Sequence, residues 1–157
     1  MAEVLTLEQD EVQETFFERG WTDGLPIVPP TPDRVEAFLQ AAGAEPAEIV
    51  GSVPARRRSV SAEDVAINAV MAGCRADYAP VVMAAAAAML APEFNAQAAL
   101  TSTGGAALCV IVSGPLASAI GMNCGHNVLG PGNRANATIG RALRLVAMNV
   151  LEARPGG

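Results

Sequence analysis

The sequence predicts an α/β (α+β) fold, helix-rich and two-layered, with a small sheet. Three observations carry this. The chain has 157 residues, 51% of them hydrophobic, which suits one domain, residues 1–157, with a substantial core. Aromatic residues make up only 4% and Ala is abundant, a composition that favours helix over open sheet. Helix-start signals recur from Thr6 to Ala79, and the chain then changes to short strand-like runs between Ala98 and Val112.

The elements follow in order. Thr6-Leu7-Glu8-Gln9 has the form of a capping box, which predicts a first helix to about Arg19, stopped by Gly20. Trp21 to Pro30 holds the only Trp and three prolines, so it is expected to be a fixed, extended loop. Thr31-Pro32 is an N-cap followed by a first-turn proline, opening a helix to about Ala42 that Gly43 closes. Ile49 to Val53 reads as a short strand. Ser61-Ala62-Glu63-Asp64 opens a third helix to about Met71, apolar on more than one side and so expected to be well buried. Gly73 to Asp77 breaks the chain, and an Ala-rich helix runs from Tyr78 or Ala79 to before Pro92, with Pro80 in its first turn. Ala98–Thr101 and Ala107–Val112 read as strands; Leu108-Cys109-Val110-Ile111-Val112 is a continuous apolar run, typical of a strand covered on both faces. The expected sheet is thus formed by strands near 49–53, 98–101 and 107–112. A short helix at Pro115–Ile120, a loop at Gly121–Gly132 and a last helix from about Arg134 to Glu152 complete the chain.

Charge and cysteine content narrow the function. Sixteen acidic residues against ten basic ones give a net charge of −6, and every basic residue is Arg. Such a balance argues against nucleic acid, whose binding rests on phosphate neutralisation. The one basic run, Arg56-Arg57-Arg58, reads as a solvated turn or strand end. The N-terminal stretch pairs no basic region with an apolar one, so no signal peptide is expected. The apolar run Ala79–Ala91 is shorter than the ~20 residues a bilayer requires and reads as a core helix, so no membrane partner is expected. Three widely spaced cysteines, Cys74, Cys109 and Cys124, argue against a disulfide framework and for a reducing, cytoplasmic compartment. They also lack Cys-x-x-Cys spacing, so no metal site is expected. An Ala-rich small domain is expected to form a homo-oligomer.

The richest constellation is Gly121 to Arg141. Glycines at 121, 125, 130 and 132 let a backbone approach a ligand, and Asn133 is a good N-cap for a helix whose N-terminus favours a phosphate or carboxylate. Arg134, Thr138 and Arg141 fall within about 60° of one another on a helical wheel. Asn133 and Asn136 are poor helix formers in a helix otherwise rich in good ones, a local inconsistency that often marks a functional site. Asn123, Asn133, Arg134, Asn136, Thr138 and Arg141 are therefore the candidate residues for a small anionic molecule. The alternative is a solvated Arg stripe behind a Gly-rich entry. Cys124 and His126, the only His, form a candidate thiolate pair, against a reading in which both are ordinary packing or surface residues. Cys74, at a helix break beside Arg75, is a second candidate thiol or a buried structural one. Asp23 is a candidate acid, base or Arg partner, and Trp21 a pocket wall or a core staple.

Gly20-Trp21-Thr22-Asp23-Gly24-Leu25-Pro26-Ile27-Val28-Pro29-Pro30-Thr31, Ala66-Ile67-Asn68-Ala69-Val70-Met71-Ala72-Gly73-Cys74 and the stretch from Gly130 to Ala142 resemble a bacterial family that accompanies, or is fused to, UGSC-motif (seleno)proteins. The resemblance covers about Glu18 to Gly157. It implies a redox-active thiol or selenol partner, loosely similar to the substrate-handling components of amino-acid reductases. The chain has no Cys-Gly-Ser-Cys motif, so the resemblance implies the companion domain. Relatives tend to carry Gly, Ser or Ala where Cys124 and His126 stand, which shifts the family-level expectation to Cys74. They also usually continue past the Arg-Pro-Gly segment.

Two functions are expected from these readings. One is an enzyme, or catalytic companion subunit, acting on a small carboxylate- or phosphate-bearing molecule by thiol-dependent reductive or lyase chemistry, with Cys74 or Cys124 as the thiol and His126 or Asp23 moving protons. The other is a non-catalytic binding or assembly subunit of a UGSC-type redox protein, consistent with one His, one Tyr and no Lys. No motif names a cofactor.

Overall fold

The computed structural model describes residues 5–8, 10–102 and 104–154. Its architecture is α+β: seven helices and a two-stranded antiparallel sheet among the described residues. The helices are α1 (Val12–Glu18), α2 (Pro32–Ala42), α3 (Ala62–Ala72), α4 (Ala79–Leu90), α5 (Ala96–Thr101), α6 (Pro115–Ala119) and α7 (Arg134–Asn149); the strands are β1 (Ile49–Val53) and β2 (Arg58–Ser61).

The centre of the fold is α3 against α7, with α2 and α4 also packed on α3. α3 starts at a reciprocal capping box. The Ser61 hydroxyl accepts from the Asp64 N–H, and the Asp64 carboxylate accepts from the Ser61 N–H. Eight of its eleven residues are buried, as expected for a helix apolar on several sides. The α7 face made by Ile139, Leu143 and Val146 is 0–2% exposed. Asn68 is one of two buried polar residues among those described. Its side chain donates to the Asp64 carbonyl (2.8 Å) and accepts from Asn149 of α7 (2.8 Å), which also donates to the Trp21 carbonyl (2.9 Å). This polar thread ties both central helices to the loop that follows α1.

The sheet differs from the expected one. β1 pairs with β2, in register Gly51↔Val60 and Val53↔Arg58. Arg56 and Arg57 sit in the tight turn between them, with Arg57 left-handed at φ 52°. β2 escapes a hydropathy reading because three arginines and two serines surround its single buried side chain, Val60. The segment read as a strand at 98–101 is helical: α5 gains from the helix preference of Ala96, Ala98 and Ala99, and Thr101 Oγ1 bonds back to the Gln97 carbonyl (2.6 Å). The segment read as a strand at 107–112 joins no sheet. The first helix starts at Val12, where its apolar positions begin. Thr6-Leu7-Glu8 is not helical, and Gln9 of the expected capping box lies outside the described residues. α7 stops at Asn149, short of Glu152.

β1 lies hard against the end of α4. A Cβ on Gly51 would stand 2.6 Å from Leu90 Cβ. That atom belongs to the stem of a helical residue, so helix and strand must separate to accept it. Gly51→Ala is expected to lower unfolding stability by about 1–2 kcal/mol, measured as a shift in the urea midpoint at unchanged m-value. Among the described residues, no single helix is long and apolar enough to cross a membrane.

Candidate functional site

The C-terminal end of α3 meets one face of α7. Gly73 closes α3 in the left-handed region (φ 92°), its N–H bonding Val70 O (2.9 Å) and the next N–H, of Cys74, bonding Ala69 O (3.0 Å). That cap turns the Cys74 side chain inward, where it is 8% exposed. α7 supplies Arg134, Thr138 and Arg141 to the same place, as the wheel predicted. Arg134 Nε donates to the Gly73 carbonyl (2.9 Å), and Thr138 and both guanidiniums act on the Cys74 thiol. Burial pushes that thiol from the usual 9.0 up to about 11, overcoming the opposing pull of Thr138, Arg134 and Arg141. The Thr138 hydroxyl donates to the Arg134 carbonyl (2.8 Å). Stabilising a thiolate would require its single proton to turn from that carbonyl to the sulfur.

Asp23 reaches this cluster from the Trp21–Pro30 loop. Both its oxygens accept from Arg141, at 3.0 and 2.8 Å, and Arg141 also donates to the carbonyls of Leu25 and Pro26. Burial alone would raise the Asp23 carboxyl. The hydrogen bond and charge of Arg141, with backbone hydrogen bonding at Asp23 and Leu25, outweigh it and hold the group below its usual value. Of the roles open to Asp23, the geometry selects Arg partner. The loop is fixed along its length. Thr22 accepts from the Gly24 N–H and donates to Leu25 O, Gln13 brackets both polar groups of Ile27, and Val28 N–H bonds Met71 O. Trp21 packs edge-on against Phe16 (5.3 Å between ring centroids) beneath the Arg19 guanidinium, the staple rather than a pocket wall.

The asparagines hold the 121–132 loop. Asn133 caps α7 by accepting from the Asn136 N–H (3.0 Å) and donates to Gly121 O. Asn136 accepts from the Asn123 N–H and donates to the carbonyls of Asn123 and Val128. Asn123 in turn bonds the backbone of Gly125 and His126. Their side chains are occupied with backbone partners, which explains a poor helix former at the cap of α7 and another in its first turn. Cys124 and His126 are exposed on this loop, and neither is among the groups acting on Cys74. Among the described residues, the Cys124 sulfur has one hydrogen-bond partner, Met122 O, at a long 3.9 Å. Gly140, which would admit a close backbone, faces open space.

The groups left for a ligand are few and adjacent. Among the described residues, the terminal nitrogens and the backbone N–H of Arg134, an exposed residue at the start of α7, have no hydrogen-bond partner. No group of three or more His, Cys, Asp or Glu among the described residues is placed to hold a metal ion. The Gly73 carbonyl, which orients Arg134, was not legible as a site-forming group, since it acts through a contact distant in sequence. No protein-family model matches the chain, and neither does any curated protein or solved structure.

Proposed function

We propose that the chain is the substrate-handling companion subunit of a thiol- or selenol-dependent enzyme, binding a small carboxylate- or phosphate-bearing molecule for reductive or lyase chemistry. The observation that carries this is the convergence of Arg134, Thr138, Arg141 and Cys74 at the junction of α3 and α7. Arg134 keeps its two terminal nitrogens available for a bidentate oxyanion, next to its own unpaired N–H at the start of α7. Arg141 neutralises Asp23 and so removes a competing negative charge from the cluster.

Binding tests this reading. Inorganic phosphate and acetate, titrated calorimetrically, are expected to bind with a 1:1 stoichiometry, and Arg134→Ala is expected to weaken binding about tenfold, the loss of one charge-assisted contact. Cys74→Ser is expected to bind as wild type does. Equal affinity in Arg134→Ala and wild type would sink the assignment.

A second reading, a non-catalytic binding or assembly subunit of a UGSC-type redox protein, is favoured by one feature. Cys74 is held as a neutral thiol, and the only His stands exposed on another loop. Full turnover by the partner without this chain, alongside anion binding to it, would select that reading.

A further inference from the structure

Residues 107–113 belong to no helix or strand, line a groove with α4 and alternate in burial. Leu108, Val110 and Val112 pack on the core; Cys109 and Ile111 point out, Ile111 being 89% exposed. The sequence pattern is that of a strand covered on both faces, yet only one face is covered. The main-chain groups of residues 105–113 make no hydrogen bond with any described residue. An apolar open groove of about 440 Å³ lies between this segment and α4, bordered by Ala84, Ala88 and Phe94.

Exposed strand edges are ordinarily guarded by charges, prolines or bulges. This one has no such guard: from Phe94 to Asn133 the sequence contains no Asp, Glu, Lys or Arg, and no proline falls between 93 and 114. The absence of charge also selects the partner. The chain carries −6, and a twofold contact sets each charge near its own image. A face that two identical acidic molecules can share must therefore itself be neutral, and this one is. The patch also offers both halves of a self-matching contact, an exposed Ile111 and an apolar groove beside it.

We infer that residues 107–113 are the dimer interface of the protein: the segment pairs antiparallel with the same segment of a second copy. The twofold closes the open edge, satisfies donors and acceptors on both copies and seats Ile111 against apolar surface. A register centred on Cys109 or Val110 places the two Cys109 side chains directly opposite or diagonal, within about 8 Å.

Light scattering on the eluting protein gives the mass, and the expected value is twice the 16.0 kDa chain. Ile111→Asp, at a site too exposed to disturb the fold, is expected to give a monomer with an unchanged circular dichroism spectrum. In a Cys124→Ser background, a short bis-maleimide is expected to join two chains through Cys109, and Ile111→Asp to abolish the cross-link. A wild-type monomer at all accessible concentrations would overturn the inference. So would a dimer that ignores Ile111→Asp and escapes the Cys109 cross-link, or a monomer whose groove takes up a fluorescent fatty acid or binds phospholipid vesicles.

Discussion

Asp23→Ala is expected to lower unfolding stability by about 2 kcal/mol, between the small effect of an exposed ion pair and the larger one of breaking a fully buried pair. The Arg141 and Asp23 side chains are 18% and 17% exposed, and they meet through two parallel hydrogen bonds. Without the carboxylate, Arg141 keeps only the carbonyls of Leu25 and Pro26, which leave its charge uncompensated. Asp23→Ala combined with Arg141→Met is expected to recover part of the loss, because an apolar pair avoids the desolvation of both ions. The pH dependence has a definite sign. The Asp23 pKa is lower in the folded protein than its ordinary 3.8, so the pair's contribution is present above 3.8 and disappears as pH falls through the lower folded value. Urea unfolding of wild type and variant should therefore differ at neutral pH and converge in strong acid. The same variant should loosen the Trp21–Pro30 loop, whose Val28 side chain lies near Gly73, and so speed alkylation of Cys74. A stability difference below 1 kcal/mol at neutral pH would show the pair to be dispensable.

What the sequence made legible follows from the range of the forces involved. α2, α3, α4 and α7 are set by caps and periodicity within a turn or two, so Thr31-Pro32, Ser61 to Asp64 and Asn133 marked their starts correctly. The single face shared by Arg134, Thr138 and Arg141 is likewise a local consequence of helical spacing. Pairing is not local. β2 is defined by its register with β1, and nothing within Arg58–Ser61 announces it. The apolar run at 108–112 has strand chemistry without a strand partner in the chain. Asn133 and Asn136 were read as ligand groups because they are poor helix formers; the inconsistency was real, but its cause is a loop anchored to the first turn of α7. Cys74 and Asp23, far apart in the chain, reach the same guanidinium only through packing. Sequence alone offered Cys124–His126 as the nearer thiol pair, whereas the fold gives the charged surroundings to Cys74.

The sharpest chemical consequence concerns Cys74. Its thiol keeps its proton to about pH 11 in the folded chain, against 9.0 ordinarily. Between those values the unfolded chain has lost a proton that the folded chain retains, so stability falls as pH rises. The full effect is about 2–3 kcal/mol, at roughly 1.4 kcal/mol per pH unit. Urea unfolding of wild type across this window should fall more steeply than that of Cys74→Ala; parallel curves would contradict the burial argument. Alkylation reads the same group directly. In a Cys109→Ser/Cys124→Ser background, the iodoacetamide rate should rise with a midpoint near 11, because only the thiolate reacts. At neutral pH roughly one thiol in ten thousand is then ionised. A bound phosphate or carboxylate at Arg134 would add negative charge beside the sulfur and move the midpoint higher still. The chain's thiol is thus least nucleophilic when the proposed site is full, which is why the proposal gives the reactive thiol or selenol to a partner. A midpoint near 7 that phosphate fails to raise would transfer the chemistry to Cys74 and make the chain an enzyme in its own right.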